Sequence, residues 1–337
     1  MLENMLQTVA RITRVVSTRH LFIFLVSLSL LLACGQNGSS STGTNTPATP
    51  TPALDVYGTP IVFPKTAPQR IVSLIPSISE ILGALPLQSR IVGVDYDTNY
   101  PAALSSLPKV SDANGVYNVE RIVALKPDLV LSYGADTKQY DTQLKQLGLH
   151  VVDLAALDVS QTIQEIRLVG RLTFTQTAAD ALAQDMQRQI DDIRATVAGT
   201  TAPSVLLEVD DSSPGKPYVF GGTSFGDELA LDANAHNIFH DNTSNGGFPQ
   251  VSDEAVIKAN PQYIILTENL AYGGNVNLVY KRANWGNIDA VKAHRVYHIN
   301  SDIMQRPGPR LVQGLHCLAQ ILHADKFPGS LPSYCEG

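Results

Sequence analysis

The run Gly222-Thr223-Ser224-Phe225-Gly226 satisfies the G-x-S-x-G pattern of a nucleophile elbow, in which a strained strand-to-helix turn exposes a serine hydroxyl. It follows a short apolar run, Tyr218-Val219-Phe220, and precedes a helix-like stretch. Hydrolysis through Ser224 would also need an acid and a histidine, and Asp302 followed by His316 or His323 supplies the chain order. Both histidines, however, fall on or at the end of the C-terminal helical stretch Leu311 to Leu322 rather than in a loop after a strand. The chain is therefore expected not to be an enzyme, with a G-x-S-x-G esterase as the remote alternative.

Histidine spacing raises a second chemistry. His236 and His240 are four apart, as are His294 and His298, and His316 and His323 are seven apart, a spacing that can share one helical face. None is accompanied by a carboxylate or further ligand at a metal-site spacing, and His298 alternates with Val296 as on a strand. No bound metal or cofactor is expected. The three cysteines, Cys34, Cys317 and Cys335, are too few for a disulfide scaffold and lack C-x-x-C spacing.

The surrounding chain sets the context for these residues. A total of 337 residues with 44% hydrophobic content suffices for one large or two medium domains, and a formal charge of −7 opposes nucleic-acid binding. Arg11, Arg14 and Arg19 precede a thirteen-residue apolar run, Leu21 to Ala33, too short to span about 30 Å of hydrocarbon. It reads as a signal peptide over residues 1–33. Its end, Leu31-Leu32-Ala33-Cys34-Gly35, resembles a bacterial lipobox, which implies lipidation of Cys34 and an exported, membrane-anchored protein of charge −9 after cleavage. Residues 34–59 are rich in Ser, Thr, Pro and Gly and read as a tether with a mean reach of roughly 25–30 Å.

Beyond the tether, short aliphatic runs alternate with helical stretches. Ile71-Val72-Ser73-Leu74, Ile91-Val92-Gly93-Val94, Leu129-Val130-Leu131-Ser132 and Val151-Val152-Asp153-Leu154 are apolar enough for a parallel sheet covered on both faces. This gives one α/β lobe over residues 60–158. The stretch from Ser160 to Ala198 has apolar residues three and four apart and no glycine or proline after Gly170, which predicts one long bridging helix within 159–200. The alternation resumes in a second lobe, residues 201–327, followed by a tail, 328–337. Ile122-Val123-Ala124-Leu125-Lys126-Pro127 in the first lobe is echoed by Val256-Ile257-Lys258-Ala259-Asn260-Pro261 in the second, each a helix stopped before proline. Two similar lobes place a cleft between them, the favoured location for a ligand.

Several phrases, in order, resemble the periplasmic-binding proteins that serve cobalamin, haem and ferric-siderophore import. They are Ser73-Leu74-Ile75-Pro76-Ser77-Ile78-Ser79-Glu80, Tyr100-Pro101, Asn118-Val119-Glu120-Arg121-Ile122-Val123-Ala124-Leu125-Lys126-Pro127-Asp128-Leu129-Val130, Pro249-Gln250-Val251-Ser252 and Arg306-Pro307-Gly308-Pro309-Arg310. The likeness spans about residues 69–325 and is nearest to the cobalamin binders. It implies an α/β class of two Rossmann-like lobes with mostly parallel sheets joined by one long helix, the class III periplasmic-binding fold. It further implies a monomer that captures a corrinoid or an iron chelate and delivers it to the permease and ATPase subunits of an ABC importer.

The resemblance places ligand contacts at Tyr96, Asp97, Tyr117, Tyr133, Phe248, Asp302 and Arg306. Close relatives carry Trp where this chain has Tyr133 and Phe248, which reduces stacking area. Ser77 opens a helix whose N–H groups could receive a ligand oxygen, although ordinary capping explains it equally well. Glu120 and Glu254, 134 positions apart, each lie near the start of a helix. The resemblance implies that they dock the two permease subunits, while favourable placement at a helix N-terminus is the alternative. With Cys34 assigned to the anchor, the exported setting leaves Cys317 and Cys335 as a disulfide pair that would pin the tail; cobalamin-binding relatives instead pair the helix cysteine with one near Ala233.

Overall fold

The computed structural model describes residues 53–134, 137–154 and 156–336. The signal segment and residues 34–52 of the tether, Cys34 included, lie outside the described residues. Among the described residues no helix is long and apolar enough to cross a membrane.

The first lobe alternates strand and helix: β1 (Ile71–Ser73), α1 (Pro76–Ala84), β2 (Ile91–Val94), α2 (Val119–Ala124), β3 (Leu129–Ser132), α3 (Lys138–Gln146) and β4 (Val151–Asp153). The strands form a parallel sheet in the order β2-β1-β3-β4, with Val72 opposite Val130 and Leu131 opposite Val152. Every residue of β1, β3 and β4 is buried, so the aliphatic runs are covered on both faces, as their composition requires. The strand order reverses between β1 and β3, and that reversal opens a crevice at their carboxyl ends. Helix α1 starts on Pro76, whose missing N–H would have been unpaired there anyway. Residues 53–59, assigned to the tether by composition, are part of this lobe. Leu54 bridges to Pro60, the Val56 N–H donates to the Asp153 carbonyl, and Val56 packs over Gly134.

Where the spacing predicts a single helix over 160–198, the chain folds as two: α4 (Val159–Thr173) and α5 (Gln176–Val197), packed on each other as a hairpin. The break needs neither glycine nor proline at the turn. Phe174 takes a left-handed conformation (φ 62°), and the Phe174 and Thr175 N–H groups both close on the Gly170 carbonyl. Thr173 donates its hydroxyl to the Val169 carbonyl. Gly170 lets α5 approach, since a Cβ there would lie 2.3 Å from that of Ala179. The hairpin touches both lobes: Arg90 of the first lobe reaches the Thr173 carbonyl, and Arg194 pairs with Asp232 of the second at 2.7 Å.

The second lobe contains β5 (Ser204–Asp210), β6 (Tyr218–Val219), α6 (Phe225–Asp232), β7 (His236–Asn237), α7 (Asp253–Ala259), β8 (Tyr263–Leu266), β9 (Val296–His298) and α8 (Leu311–Leu322). Its sheet runs β6-β5-β8-β9, with β7 also on β5. Only the β5–β6 pair is antiparallel, which makes this sheet mixed. One continuous apolar core runs from Ile71, Ile81 and Leu131 through Ile166 and Ile190 to Leu207, Phe220 and Leu315. The lobes thus share a core through the hairpin, packed at the density of a protein interior.

Candidate functional site

Helix α1 delivers Ser77 and Glu80 to the inter-lobe crevice at the carboxyl end of β1. The Ser77 hydroxyl oxygen is buried and has no hydrogen-bond partner. Glu80, 2% exposed, turns its carboxylate to the other lobe. There it accepts from Arg310 Nε at 2.9 Å and Nη2 at 2.5 Å, and from Arg306 Nη1 at 3.4 Å. Both arginines come from the turn Arg306-Pro307-Gly308-Pro309-Arg310. Gly308 faces α1, where an added Cβ would make an ordinary contact with the Ser77 carbonyl at 3.4 Å.

A second layer joins the loop after β2 to the one-turn helix Ser301–Met304. Asn99 donates to Asp302 Oδ2 at 2.8 Å and accepts from Arg306 Nη1 at 2.8 Å, while Arg306 Nη2 pairs with Asp302 Oδ1 at 2.7 Å. The Asp97 carbonyl accepts from Arg306 at 3.4 Å. Burial holds the Asp97 carboxyl above its usual range, with Arg306 and Lys109 opposing the shift. Arg310 lies 4.1 Å over the Tyr100 ring, a cation–π contact. Beneath this layer, Ser73, Ser79 and Thr98 form a hydroxyl chain ending on Asp95, whose carboxyl burial pushes up to about 6 against the opposing Thr98 hydrogen bond.

Of the residues singled out from sequence, Asp97, Asp302 and Arg306 converge on this cluster, and Ser77 lies one turn of α1 from Glu80. Tyr96 stands at the rim, half exposed, with its N–H donated to the Ser111 hydroxyl. Tyr117 and Tyr133 lie at carboxyl ends of the first sheet. The Tyr117 hydroxyl binds the Leu74 carbonyl and its ring meets Tyr140 edge-on at 5.2 Å, while Tyr133 is buried with its hydroxyl 3.4 Å from the Ala156 carbonyl. Phe248 is also buried, packed against Phe220 at 5.5 Å and Phe225 at 5.8 Å. Glu80, Asn99, Tyr100 and Arg310 were not singled out. Their signal is an acid on an otherwise buried helix face with no basic neighbour in reach along the chain, and two arginines held apart by two prolines.

Glu120 and Glu254 are exposed and occupy equivalent places, each the second residue of a short helix whose preceding residue caps it: Asn118 accepts from the Arg121 N–H and Ser252 from the Ala255 N–H. The Glu254 carboxyl is held below its ordinary range by its own N–H and the Ser252 hydroxyl. Glu120 borders a surface depression of about 500 Å³ lined also by Lys109, Tyr117 and Tyr140.

Ser224 is buried, accepts from the Asp227 N–H at 3.1 Å and donates to the Gly221 carbonyl at 2.6 Å, so its oxygen caps α6. The left-handed residue of this turn is Thr223 (φ 71°), not the serine. His316 bonds the Tyr334 hydroxyl, His323 the Ala233 carbonyl, His240 Asp227, and His298 the Glu268 carbonyl. Among the described residues, no group of three or more His, Cys, Asp or Glu is placed to hold a metal ion. Cys317 and Cys335 are joined by a disulfide with their Cα atoms 5.8 Å apart.

What the cleft offers, then, is a charge-compensated polar floor, arginines already oriented by carboxylates, and tyrosines at the rim. Residues 71–303 match the profile of the family described as periplasmic binding protein. YvrC of Bacillus subtilis (strain 168), an ABC transporter substrate-binding lipoprotein, is 35% identical over 78% of this chain and 82% of its own length. A vitamin B12-binding protein of Vibrio cholerae is 26% identical over 77% of this chain and 91% of its own. The crystal structure of a periplasmic haem-binding protein from Pseudomonas aeruginosa superposes with a TM-score of 0.67 at 27% identity, covering 79% of this chain and 96% of that one. The chain belongs to the periplasmic binding protein family and is a solute-binding protein of an ABC transporter.

Proposed function

We propose that the protein captures cobalamin or a related corrinoid in the inter-lobe cleft and hands it, without chemical change, to the membrane permease. The observation that carries this reading is the charge balance of the cleft. The carboxylates of Glu80 and Asp302 meet Arg306 and Arg310, and the Asp97 carbonyl accepts from Arg306, so the site presents oriented donors and acceptors without net positive charge. A corrinoid, a broad disc edged with amides and carrying one phosphodiester, suits such a lining. A strongly anionic chelate would call for uncompensated cations. Likeness to the vitamin B12-binding protein of Vibrio cholerae supports the same choice.

In this reading Cys34 carries the lipid anchor, the tether lets the body turn beside the membrane, and Glu120 and Glu254 meet one permease subunit each while the ATPase drives transport. The protein acts as a monomer. The rim tyrosines Tyr96 and Tyr100 favour haem as the second reading, with ferric siderophore behind it, since aromatic phenols can face a metal chelate. The test is to incubate the ligand-free protein with cyanocobalamin, haemin and a ferric hydroxamate separately and read the visible spectrum retained after gel filtration. Cyanocobalamin is expected to co-elute; retention of haemin or the hydroxamate alone would overturn the corrinoid assignment.

A further inference from the structure

We infer that the Cys317–Cys335 disulfide and Asn300 are positioning elements of the binding loop: the C-terminal tail, clamped to α8, holds the turn that presents Asp302 and Arg306 to the cleft. The claim that this turn serves a ligand rests on the function proposed above; the mechanical coupling does not.

The relay can be followed bond by bond. Cys317 is fully buried on α8, and the disulfide brings Cys335, 1% exposed, against that helix. The tail between them is tied by further contacts: Gln320 Nε2 reaches the carbonyls of Gly329 and Ser330 at 3.2 and 3.3 Å, and Tyr334 meets His316 at 3.0 Å. The last helical turn, Ser333–Cys335, then offers two carbonyls to one residue. The Asn300 N–H donates to the Cys335 carbonyl at 2.9 Å, and Asn300 Nδ2 points to the Tyr334 carbonyl at 3.4 Å. The other end of the same side chain, Oδ1, accepts from the Asp302 N–H at 2.9 Å and so starts the one-turn helix Ser301–Met304. Asp302 grips Arg306 at 2.7 Å, and both reach Asn99 in the first lobe.

Two other fastenings act on this turn from different directions. Gln305 donates to the Thr267 and Val209 carbonyls at the ends of β8 and β5. Gly314 of α8 packs so close to the Ile303 carbonyl that a Cβ there would lie 2.4 Å away. These set the floor of the turn, whereas Asn300 sets its start. Without the disulfide, the bonds above and the packing of Phe327, Leu331 and Tyr334 on the core still retain the tail, but the carbonyls that Asn300 uses lose their direct cross-link to Cys317. In an oxidising exterior the bond persists, so the binding loop is held where the protein works.

The experiment uses the full chain in three variants: Cys317→Ser with Cys335→Ser, Asn300→Ala with the disulfide intact, and Asn300→Asp, which keeps the oxygen that caps Asp302. Hydrogen–deuterium exchange of the ligand-free proteins is read over residues 299–310 and, as reference, over β1 and β3; cyanocobalamin affinity is measured in parallel. The first two variants are expected to exchange faster over 299–310 with β1 and β3 unchanged, and to bind cyanocobalamin about tenfold more weakly, the worth of roughly one hydrogen bond. Asn300→Asp keeps the cap on Asp302 but not the contact with the Tyr334 carbonyl, and is expected to restore only part of both. Unchanged exchange over 299–310, or a uniform rise across the whole protein, would overturn the relay. If the cysteine variant fails to fold, wild type with its disulfide reduced under native conditions is read in its place beside Asn300→Ala, and unchanged exchange over 299–310 on reduction overturns the disulfide's part in the relay. Wild type that ignores cyanocobalamin refutes the corrinoid reading, while the exchange result still decides the relay.

Discussion

Removing the carboxylate of Glu80 should destabilise the protein, because that group is a buried ionic contact between the lobes beside Asn99 and the shared core. In Glu80→Gln the bidentate contact with Arg310 and the longer contact with Arg306 lose their charge, and two guanidinium groups are left facing Asp302 alone. Breaking a fully buried pair costs about 3–5 kcal/mol, but the arginine side chains are 12 and 16% exposed and Asp302 remains, so about 2–3 kcal/mol is expected. For a folded body of this size that corresponds to a fall in Tm of roughly 3–5 °C. The decisive assay is a double-mutant cycle with Arg310→Gln, read by urea denaturation. Each single change should destabilise, and the double variant should lose about 1.5–2 kcal/mol less than their sum. Additivity within about 0.5 kcal/mol would refute the claim that this pair ties the lobes together.

Three further outcomes follow from the fold. Gly170→Ala should destabilise by about 1–3 kcal/mol in thermal unfolding despite the better helix propensity of alanine, because its methyl meets Ala179; a stabilised variant would contradict the hairpin. Glu165, buried with Oε1 unpartnered, has its carboxyl pushed up to about 8 by burial, so the folded state holds a proton that the unfolded state releases above about pH 4.5. Its contribution to stability therefore falls as pH rises from about 4.5 to 8, and Glu165→Gln should raise Tm at pH 9 while leaving it nearly unchanged at pH 4; equal shifts at both would refute this titration. Ser224→Ala should lose about 1 kcal/mol of stability through the lost cap of α6 and leave any p-nitrophenyl ester hydrolysis at background; serine-dependent turnover would revive the esterase reading.

The buried strands were legible because a parallel sheet demands aliphatic residues on both faces, and Val72, Val130 and Val152 carry that demand in their own composition. The duplicated helix–proline–strand phrase likewise announced two lobes and hence a cleft. The hairpin turn at Phe174 was not legible, since it is made by the close approach of Gly170 to Ala179 and by threonine hydroxyls that suit either a helix or its end. Residues 53–59 look like tether by composition, and what orders them is their own turn closed by the Leu54–Pro60 bridge together with contacts to Asp153 and Gly134. Ser224 shows the limit of a pattern: the same five residues fit an elbow or a cap, and backbone conformation chooses between them. Glu80 and Arg310 are 230 positions apart, so no local periodicity connects them, although an acid on a buried helix face already calls for a cation from elsewhere.

The measurement closest to the central claim is an equilibrium titration of cyanocobalamin into ligand-free wild type and into Arg306→Ala and Asp302→Ala, followed by calorimetry. Saturable one-to-one binding to the wild type is expected, with at least a tenfold loss in each variant, because each removal also strands the charge of its partner in the cleft. Equal affinity in all three proteins would place the ligand elsewhere and contradict the inter-lobe site.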